Sequence, residues 1–453
     1  MIASEIFKAN DIRGRIEVDG AEWDLAGARQ IGAAYVHVFG LVGKSFVMGR
    51  DMRVTGPEVS AAFAEGALAQ GADVIDVGLA STDALWYASG ILGLHGVQFT
   101  ASHNPADYNG IKFCLPEAAP VTADDLVRLR ELAMGPDLPD ADLPGTRSEQ
   151  DILVGYAEHL HSLVDLEGLR PLKVVVDAGN GMAGHTTPAV LGPLGLDLVE
   201  LYLNLDGTFP NHMPNPLIPE NLVDAQAAVR EHGADLALVF DGDADRCFVI
   251  DERGEVVSPS LITALIASQE LQRERGGTIV INTITSRAVG EVVERLGGRL
   301  VISHVGHTSV KAHMAEHRAI FGGEHSAHYY FRDFWGADTG MLAALHVLAM
   351  LGRSDATMSQ LAAQFEGYVG SGEINSVVSE VPSILDRVVA AFEGRGTIDT
   401  GDGVTVQGDD WWVNVRPSNT EPLLRLNVEA RDAARMAELR DEALAIIREG
   451  NPQ

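Results

Sequence analysis

Cysteine is scarce in this sequence. Only two cysteines, Cys114 and Cys247, occur among the 453 residues. Two cysteines in a chain of this length cannot form the disulfide framework that small secreted domains use for stability. The sequence therefore favours a reducing compartment, and we expect the protein to be cytoplasmic.

Long hydrophobic runs are also lacking. The longest, residues 341–351, contains His346 and is too short to cross a bilayer. Residues 1–14 include Glu5 and Asp11 and show no apolar segment of the kind that signal peptides carry. We therefore expect a soluble protein with no membrane partner.

Positive charge is under-represented as well. The chain has 33 lysines and arginines against 64 aspartates and glutamates, which is a formal net charge of −31 at pH 7. Such a chain repels polyanions, so no nucleic acid is expected as a partner. A small anionic substrate stays compatible with this charge, because salt screens charges beyond about 8 Å and a local basic cluster suffices. We expect a monomer or a small homo-oligomer.

What is present is the composition of a large globular protein, with 46% hydrophobic residues and 48 glycines. At roughly 100–200 residues per domain, the length predicts several domains. Strand-like runs alternate with helical patterns three times, which is typical of βαβ units, and short β segments with a polar helix, residues 431–449, follow from about Gly367. The predicted strands are residues 45–48, 73–77, 97–100, 173–176, 198–202, 236–240, 278–281, 300–303, 319–321, 403–406, 411–415 and 423–428.

This order of elements predicts an α/β protein. We expect three similar α/β domains with mixed or parallel sheets, followed by one C-terminal α+β domain. The predicted boundaries are residues 1–150, 151–252, 253–366 and 367–453.

Three carboxylates, Asp241, Asp243 and Asp245, stand at alternate positions directly after the predicted strand 236–240. They repel one another unless a divalent cation neutralises them, and carboxylate oxygens are what Mg²⁺ or Ca²⁺ requires. An EF-hand loop fits less well, because Arg246 stands where that loop needs glycine and a strand precedes it. Arg246 is instead a candidate donor to a phosphate oxygen. A solvated acidic turn is the alternative.

The predicted strand that ends at Thr100 leads into Ser102 and His103, and Lys112 follows. A serine at the end of a parallel strand lies where open α/β sheets bind ligands. A hydrolase nucleophile is less suitable, because Thr100 and Asn104 stand where the nucleophile elbow needs glycine. We interpret Ser102 as a covalent phosphoryl carrier whose phosphate helps to hold the metal, with positive charge from His103 and Lys112. A plain polar turn is the alternative.

A polar loop near the C-terminus has the groups of an anion site. Two hydroxyls, one amide and two guanidiniums match the acceptors of a phosphate dianion, although turn formers are also common in plain hairpin loops. The loop residues are Arg416, Ser418, Asn419 and Thr420, and Arg425 follows on the outgoing strand.

A carboxylate, a hydroxyl and an imidazole follow the strand near residue 321, among small residues. Glu324, Ser326 and His328 form a set that suits sugar hydroxyls. His307 follows the preceding strand and is a candidate for the same cleft. For either histidine, a purely structural role is an equal alternative.

One motif favours a different class of enzyme. The spacing Gly179-Asn-Gly181-Met-Ala-Gly184, with Glu200 in a later strand, matches a dinucleotide-binding fingerprint. An NAD-dependent oxidoreductase would leave the aspartates, Ser102 and the Arg416 loop without a role. The same glycines also permit a tight turn and close helix packing.

Together, four motifs resemble the α-D-phosphohexomutase family, most closely its bacterial phosphomannomutase/phosphoglucomutase branch. They occur in family order, and the resemblance runs from Phe7-Lys-Ala-Asn-Asp-Ile-Arg-Gly14 to the last helix. It implies four domains around a central cleft, each of which contributes one loop. The motifs are Thr100-Ala-Ser-His-Asn-Pro105, Asp241-Gly-Asp-Ala-Asp-Arg246, Gly323-Glu-His-Ser-Ala-His328 and Arg416-Pro-Ser-Asn-Thr-Glu-Pro422.

The resemblance implies a reaction and a role for each residue. Hexose 1-phosphate and hexose 6-phosphate, of mannose, glucose or both, interconvert through a phosphoserine and a hexose 1,6-bisphosphate, which also activates the enzyme. Ser102 carries the phosphate, and Mg²⁺ is bound by that phosphate with the three aspartates. Arg13, Lys112 and Arg246 surround the reacting phosphate. Glu324, Ser326 and His328 contact the sugar, and Arg416, Ser418, Asn419, Thr420 and Arg425 hold the other phosphate.

Several points stay open at this stage. Some relatives carry a lysine, a candidate general base, in the loop at residues 282–287, where this chain has none. Arg287 is too basic to accept a proton readily, so we take His307 as the hypothesis for the base. A phosphoglucosamine mutase is the alternative within the class, and a non-catalytic sugar-phosphate binding protein is the alternative outside it.

Overall fold

The computed structural model describes residues 1–16, 18–378, 380–417 and 423–449. The chain forms two compact units. The first comprises Met1–Ile262 with Ser326–Leu361, and the second comprises Thr263–His325 with Ala362–Gln453. Among the helices of the described ranges, none is long and apolar enough to span a bilayer.

The first unit begins with a mixed six-stranded sheet in the order β1-β5-β4-β2-β3-β6. Strand β2 pairs in parallel with β3 and β4, whereas β5 runs antiparallel to β4 and β1. Its strands are β1 (Ile12–Arg15), β2 (Ser45–Arg50), β3 (Asp73–Leu79), β4 (Gly96–Phe99), β5 (Tyr108–Cys114) and β6 (Arg147–Glu149). Its helices are α1 (Leu25–Val38), α2 (Gly56–Ala69), α3 (Thr82–Leu92) and α4 (Ala123–Ala133). Side-chain oxygens of Asp24, Ser81 and Thr122 cap α1, α3 and α4, which fixes where these helices start.

A second sheet of the first unit has the order β11-β10-β9-β7-β8. Its strands are β7 (Lys173–Asp177), β8 (Asp197–Leu201), β9 (Leu236–Phe240), β10 (Cys247–Asp251) and β11 (Val256–Val257), and its helices are α5 (Leu153–Leu163), α6 (Ala183–Val190) and α7 (Val223–His232). Every residue of β9 is buried, as expected for a continuous apolar run in the middle of a sheet. Residues 241–246 connect β9 to its antiparallel partner β10, so they form the tip of a hairpin.

The next segment supplies the first part of the second unit. Strands β12 (Thr278–Asn282), β13 (Arg299–Ser303) and β14 (Phe321–Gly323) are parallel, with β12 between the other two. The helices here are α8 (Pro259–Arg273), α9 (Arg287–Arg295) and α10 (His307–Glu316). The chain then forms the antiparallel pair β15 (Tyr329–Phe331) and β16 (Ala337–Asp338), which belongs to the first unit, followed by α11 (Gly340–Gly352) and α12 (Met358–Ala363).

The C-terminal part of the second unit is an antiparallel sheet covered by helices. Its strand order is β17-β22-β21-β20-β19, and β18 also pairs with β22. The elements are β17 (Val369–Gly370), β18 (Ile374–Val377), α13 (Val381–Phe392), β19 (Thr397–Asp399), β20 (Val404–Gln407), β21 (Trp411–Pro417), β22 (Leu423–Ala430) and α14 (Ala433–Arg448). Buried residues at alternate strand positions, such as Leu424, Leu426 and Val428, contact a core that includes Phe392 and Ile447.

The predicted fold class is confirmed. Three successive α/β segments precede one α+β segment, in the predicted order. The first two sheets are mixed because a hairpin adds an antiparallel strand to each parallel set.

Candidate active site

Ser102 lies in a strained turn beyond β4. Its backbone has φ of +51°, a left-handed conformation that non-glycine residues seldom adopt, and its own N–H donates to Thr100 Oγ1 at 2.9 Å. The side chain is buried, and its hydroxyl donates to Asp241 Oδ2 at 2.9 Å. The predicted serine and the first predicted metal ligand are therefore in direct contact, although 139 positions separate them in the chain.

The three aspartates at the hairpin tip are all buried. Asp243 Oδ2 accepts from the Thr82 hydroxyl at 2.6 Å and from Lys112 Nζ at 2.7 Å. Asp245 Oδ2 accepts from Lys112 Nζ at 2.6 Å. The other oxygen of each of these two carboxylates, Oδ1, is buried and makes no hydrogen bond.

These free oxygens fit a divalent cation. One carboxylate oxygen from each aspartate lies within 4.8 Å of the others, so three hard ligand atoms converge. Asp245 also forms a similar group with His328 and Asp338, which shares this carboxylate and so belongs to the same centre. Two buried, unsatisfied carboxylate oxygens are costly unless a cation approaches them, and we take them as the structural argument for the predicted metal site.

Three cations face the aspartates. Arg246 donates from Nε and Nη2 to Asp241 Oδ2, at 2.9 and 2.7 Å. Arg13 donates to Asp11 at 2.7 Å and to Asn104 Oδ1 at 3.0 Å. Burial opposes the charge of Arg13, Arg246 and Lys112, but the neighbouring carboxylates outweigh it and raise the pKa of each.

The pKa values of Asp241 and Asp243 are shifted in opposite directions. For Asp241, burial raises the pKa, and the like charges of Asp245 and Asp243 add to this. For Asp243, burial acts in the same direction, but the contacts from Lys112 and Thr82 outweigh it and lower the pKa. Asp243 therefore depends on Lys112 and Thr82 to remain ionised.

His103 is the site residue whose predicted charge must be corrected. Its Nδ1 lies 2.6 Å from Arg246 Nη2 and 3.2 Å from Ser102 Oγ. A guanidinium only donates, so Nδ1 accepts. Burial and the nearby charges of Arg246 and Arg13 hold the pKa of His103 well below its ordinary value. The sequence predicts positive charge from His103, but the structure supports a neutral imidazole.

Two of the three predicted sugar-binding residues lie beside this centre. His328 Nε2 is 3.6 Å from Asp245 Oδ1, and its Nδ1 is 2.9 Å from Ser326 Oγ. A backbone bridge between Arg246 and His328 keeps the two segments together. The structure therefore brings Ser326 and His328 to residues 241–246, the predicted metal loop.

Glu324 lies in the second unit, at the end of β14. Its carboxylate is buried and accepts from Asn282 Nδ2 at 2.9 Å and from the Gly306 N–H at 3.1 Å. These bonds join the segments that follow β12, β13 and β14. His307 begins α10 directly after Gly306 and is half-buried, and its role as general base stays a prediction.

Arg416 and Arg425 face each other on the paired strands β21 and β22. Glu373 bridges them, with its Oε2 3.0 Å from Arg416 Nη2 and its Oε1 3.1 Å from Arg425 Nη1. The Nε of Arg416 is buried and makes no hydrogen bond. The two guanidiniums can therefore bind an anion, and a carboxylate already does so. Predicted residues Ser418, Asn419 and Thr420 lie outside the described residues.

The glycine-rich run at residues 179–184 has a packing role. A Cβ on Gly181 would lie 2.6 Å from Gly242 O, and a Cβ on Gly184 would lie 2.0 Å from Leu203 O. The Met182 N–H donates to the same Gly242 carbonyl at 2.8 Å. Gly181 therefore packs against the metal loop and Gly184 packs against Leu203. Because packing explains these glycines, they give the dinucleotide alternative no support.

Sequence reasoning missed the residues that hold this centre in shape. Asp51 and Arg53 follow β2 and make no contact that a motif search would reveal, and Thr82 reaches Asp243 across 161 positions. One signal was available for the first two. Charged residues at alternate positions after a buried strand are the pattern that identified Asp241, Asp243 and Asp245.

Four family descriptions match successive parts of the chain. These are phosphoglucomutase/phosphomannomutase alpha/beta/alpha domain I at residues 4–134, domain II at 154–254 and domain III at 258–368, and the phosphoglucomutase/phosphomannomutase C-terminal domain at 373–446. Together the matches extend over nearly the whole chain.

Curated relatives agree over the full length. A phosphomannomutase of Escherichia coli K12 is 38% identical over 452 residues, which is 97% of this chain and 98% of the relative. A phosphomannomutase of Vibrio cholerae is 37% identical over 438 residues, 94% of each chain. Among solved structures, a phosphoglucomutase/phosphomannomutase family protein of Burkholderia thailandensis is 34% identical with a TM-score of 0.90, covering 100% of this chain and 99% of its own.

Proposed function

The chain belongs to the phosphoglucomutase/phosphomannomutase family of enzymes, and on this basis we propose that it interconverts hexose 1-phosphates and hexose 6-phosphates. Mannose and glucose are the sugars we propose. The proposed route passes through a phosphorylated Ser102 and a hexose 1,6-bisphosphate.

The observation that carries this proposal is the contact between Ser102 and the aspartates. The hydroxyl lies 2.9 Å from Asp241 Oδ2, in a buried centre that also holds two unsatisfied carboxylate oxygens and three cations. Phosphoryl transfer needs little covalent chemistry from a protein beyond one acceptor, and depends mainly on positioning and charge stabilisation. A sugar-phosphate binding protein needs none of the groups around Ser102.

The proposed reaction has two transfers. In the first, the bond between phosphorus and Ser102 Oγ breaks, a bond to the free sugar hydroxyl forms, and the hydroxyl proton leaves to a base. In the second, the bisphosphate turns over, the bond between its other phosphorus and the sugar oxygen breaks, a bond to Ser102 Oγ forms, and the base returns its proton to the sugar oxygen. The outcome is an exchange of the phosphorylated position, with the enzyme phosphate restored.

The aspartates fit Mg²⁺, which we propose they hold together with the Ser102 phosphate. The ion, when bound, supplies positive charge to the transferring phosphoryl group. Lys112 and Arg246 hold the carboxylates in place and direct further charge at the same position, and Arg13 orients Asn104 in the serine loop. His103 is available as a neutral acceptor beside Ser102.

We propose roles in substrate recognition and catalysis for the remaining predicted residues. Glu324, Ser326 and His328 would contact the sugar, Arg416 and Arg425 would bind the second phosphate, and His307 is the proposed base. The domain boundaries proposed from the sequence, at residues 150, 252 and 366, give each domain one of the four loops.

We would test the proposal with purified protein and either glucose 1-phosphate or mannose 1-phosphate, in Mg²⁺ with trace hexose 1,6-bisphosphate. Parallel reactions would contain a chelator or use Ser102→Ala. Conversion to 6-phosphates is expected only with metal and with Ser102 present, and intact mass should show one phosphate on the wild-type chain. A matched control is Ser162→Ala, an exposed serine on α5.

Other outcomes separate the alternatives. Conversion of glucosamine 1-phosphate alone would reassign the substrate within the class. Sugar-phosphate binding without conversion, and without a phosphate on Ser102, would favour the non-catalytic binding protein.

A further inference from the structure

Arg53 makes an unusual set of contacts with the backbone of the serine loop, residues 101–108. Its side chain is completely buried. Nη1 donates to the carbonyls of Pro105 and Tyr108 at 2.7 and 2.9 Å, and Nη2 donates to the carbonyls of Ser102 and Asn104 at 2.8 and 2.7 Å. One guanidinium therefore satisfies four carbonyls of a single eight-residue turn.

The charge of Arg53 is itself held in place. Asp51 Oδ1 accepts the Arg53 N–H at 2.9 Å, and Asp51 Oδ2 lies 3.3 Å from Arg53 Nε. Phe209 stacks on the guanidinium, 5.3 Å from ring centre to Cζ, and a Cβ on Gly207 would lie 2.7 Å from Arg53 Cα. Asp51, Phe209 and Gly207 thus fix the position of Arg53 independently of its contacts with the serine loop.

The loop needs such support, because Ser102 adopts φ of +51°. A non-glycine residue rarely adopts this conformation, and it persists only where the surroundings enforce it. Arg53 Nη2 binds the carbonyl of Ser102 directly. On the other side of that carbonyl, a Cβ on Gly242 would lie only 2.4 Å away, so the metal loop contacts it closely.

We propose that Arg53 is a positioning residue that holds the Ser102 turn in the conformation in which Oγ meets the Asp241 carboxylate. This inference rests on the proposed function, in which Ser102 accepts and donates the phosphoryl group. Arg53 touches neither the Ser102 hydroxyl nor any aspartate of the trio. It acts through four main-chain carbonyls.

The geometry predicts that lysine cannot replace Arg53. An ammonium group has three donors at one point, whereas the four carbonyls are served by two nitrogens of a planar fork. Arg53→Lys keeps the positive charge opposite Asp51 and leaves at least one carbonyl without a donor. We therefore expect a loosened turn in a protein that still folds.

The test compares wild type with Arg53→Lys in two measurements. Hydrogen exchange followed by mass spectrometry reports the protection of residues 101–108 without any need for activity. The rate at which glucose 1,6-bisphosphate phosphorylates Ser102, read by intact mass, reports the consequence. We expect exchange in the loop to be at least 10-fold faster and phosphorylation to be about 100-fold slower, as for misplacement by about 1 Å.

Arg170→Lys is the matched control. Arg170 also donates to a main-chain carbonyl, Ser354 O at 3.1 Å, and pairs with Asp235, but it contacts no residue of the serine loop. Both variants should lose some thermal stability, whereas only Arg53→Lys should change loop exchange and phosphorylation. Mg²⁺ affinity, measured calorimetrically, should stay within about 3-fold of wild type in both, because neither contacts the aspartate trio.

Three results would overturn the inference. Unchanged phosphorylation in Arg53→Lys would do so while leaving the proposed function intact. Equal loss in Arg170→Lys would show a general stability effect. Absence of a phosphate on Ser102 in the wild type would remove the proposed function, and the inference with it, even if the loop exchange changed as expected.

Discussion

The serine–aspartate centre and the Arg416–Arg425 pair are the two regions at which we propose that phosphate binds, and their charged groups are held in different ways. In the centre, the three aspartates, Lys112 and Arg246 are buried, and the two cations pair with the aspartates. In the pair, two arginines share one carboxylate, Glu373, whose side chain is 29% exposed.

This difference indicates which of the two regions, the centre or the arginine pair, is already organised before substrate binds. A buried network loses little on binding, because its groups are already oriented. In the proposed function, the arginine pair exchanges Glu373 for a phosphate, so part of its affinity is spent on breaking existing ion pairs. We therefore expect changes in the centre to affect the rate and changes at the pair to affect binding.

The largest expected effect comes from removing Lys112, one of the three cations of the centre. Lys112→Met removes the group that binds both Asp243 Oδ2 and Asp245 Oδ2. We expect kcat to fall at least 1,000-fold, but Mg²⁺ to bind more tightly, by about 10-fold, because a neighbouring positive charge is gone. Calorimetric Mg²⁺ titration and steady-state kinetics would check this.

Thermal unfolding with chelator provides the control for Lys112→Met. Uncompensated buried carboxylates should lower its Tm in chelator, and Mg²⁺ should recover most of the loss. Weaker Mg²⁺ binding in the variant would contradict the view that Lys112 and the metal share the charge of the trio.

Close packing between the two loops of the centre gives the next largest effect. A Cβ on Gly242 would lie 2.4 Å from Ser102 O, whereas one on Gly192 would meet nothing within 4 Å. Gly242→Ala should therefore reduce kcat about 100-fold, since it moves the serine away from the aspartates. Gly192→Ala should turn over at the wild-type rate. Similar kinetics for both variants would show that the contact is not needed.

Much of this centre could be predicted because its signals are local. The strand predicted at residues 236–240 coincides with β9, and the charges that follow it identified the metal loop. The antiparallel pairing of β5 and β10 could not be predicted, because a hairpin and a crossover look alike in the sequence. The strand predicted at 319–321 is observed at Phe321–Gly323, since two glycines hide its end.

Other features could not be predicted because they depend on burial or on the main chain. The lowered pKa of His103 follows from its burial beside Arg246, which no spacing in the sequence reveals. Arg53 donates to main-chain carbonyls, and every residue has such a carbonyl. No sequence motif can therefore identify its partners. Glu373 lies 43 positions from Arg416, outside any motif.

A smaller effect is expected at the arginine pair. Glu373→Gln keeps the shape of the side chain and removes the negative charge that competes with phosphate. We expect KM to fall about 3- to 10-fold with kcat nearly unchanged, as for a change in uniform binding. Glu442→Gln, in the ion pair with Arg395, is the control and should leave both constants alone. A fall in kcat without a change in KM would reverse the distinction between the two regions.

The smallest expected effect is a change of thermal stability with pH, which comes from Asp83. Asp83 accepts hydrogen bonds from the hydroxyls of Ser81, Tyr156 and Thr339. Its neighbour in the chain, Thr82, donates a hydrogen bond to Asp243. Burial raises the pKa of Asp83 to about 6, against the hydrogen bonds that lower it. A carboxyl with a raised folded pKa stabilises the protein below its unfolded pKa, and this stability is lost as pH rises through the folded value.

Asp83→Asn removes that titration, so its Tm relative to wild type should rise by about 2–4 °C between pH 4 and pH 6.5. The comparison uses the same variant at several pH values, so lost hydrogen bonds shift all points equally. A constant difference would mean that Asp83 keeps an ordinary pKa, and that the hydroxyls around it compensate its charge fully. Hydrogen bonds would then hold the Asp83 carboxylate in its ionised form, whereas the Arg416–Arg425 pair is held by the charge of Glu373.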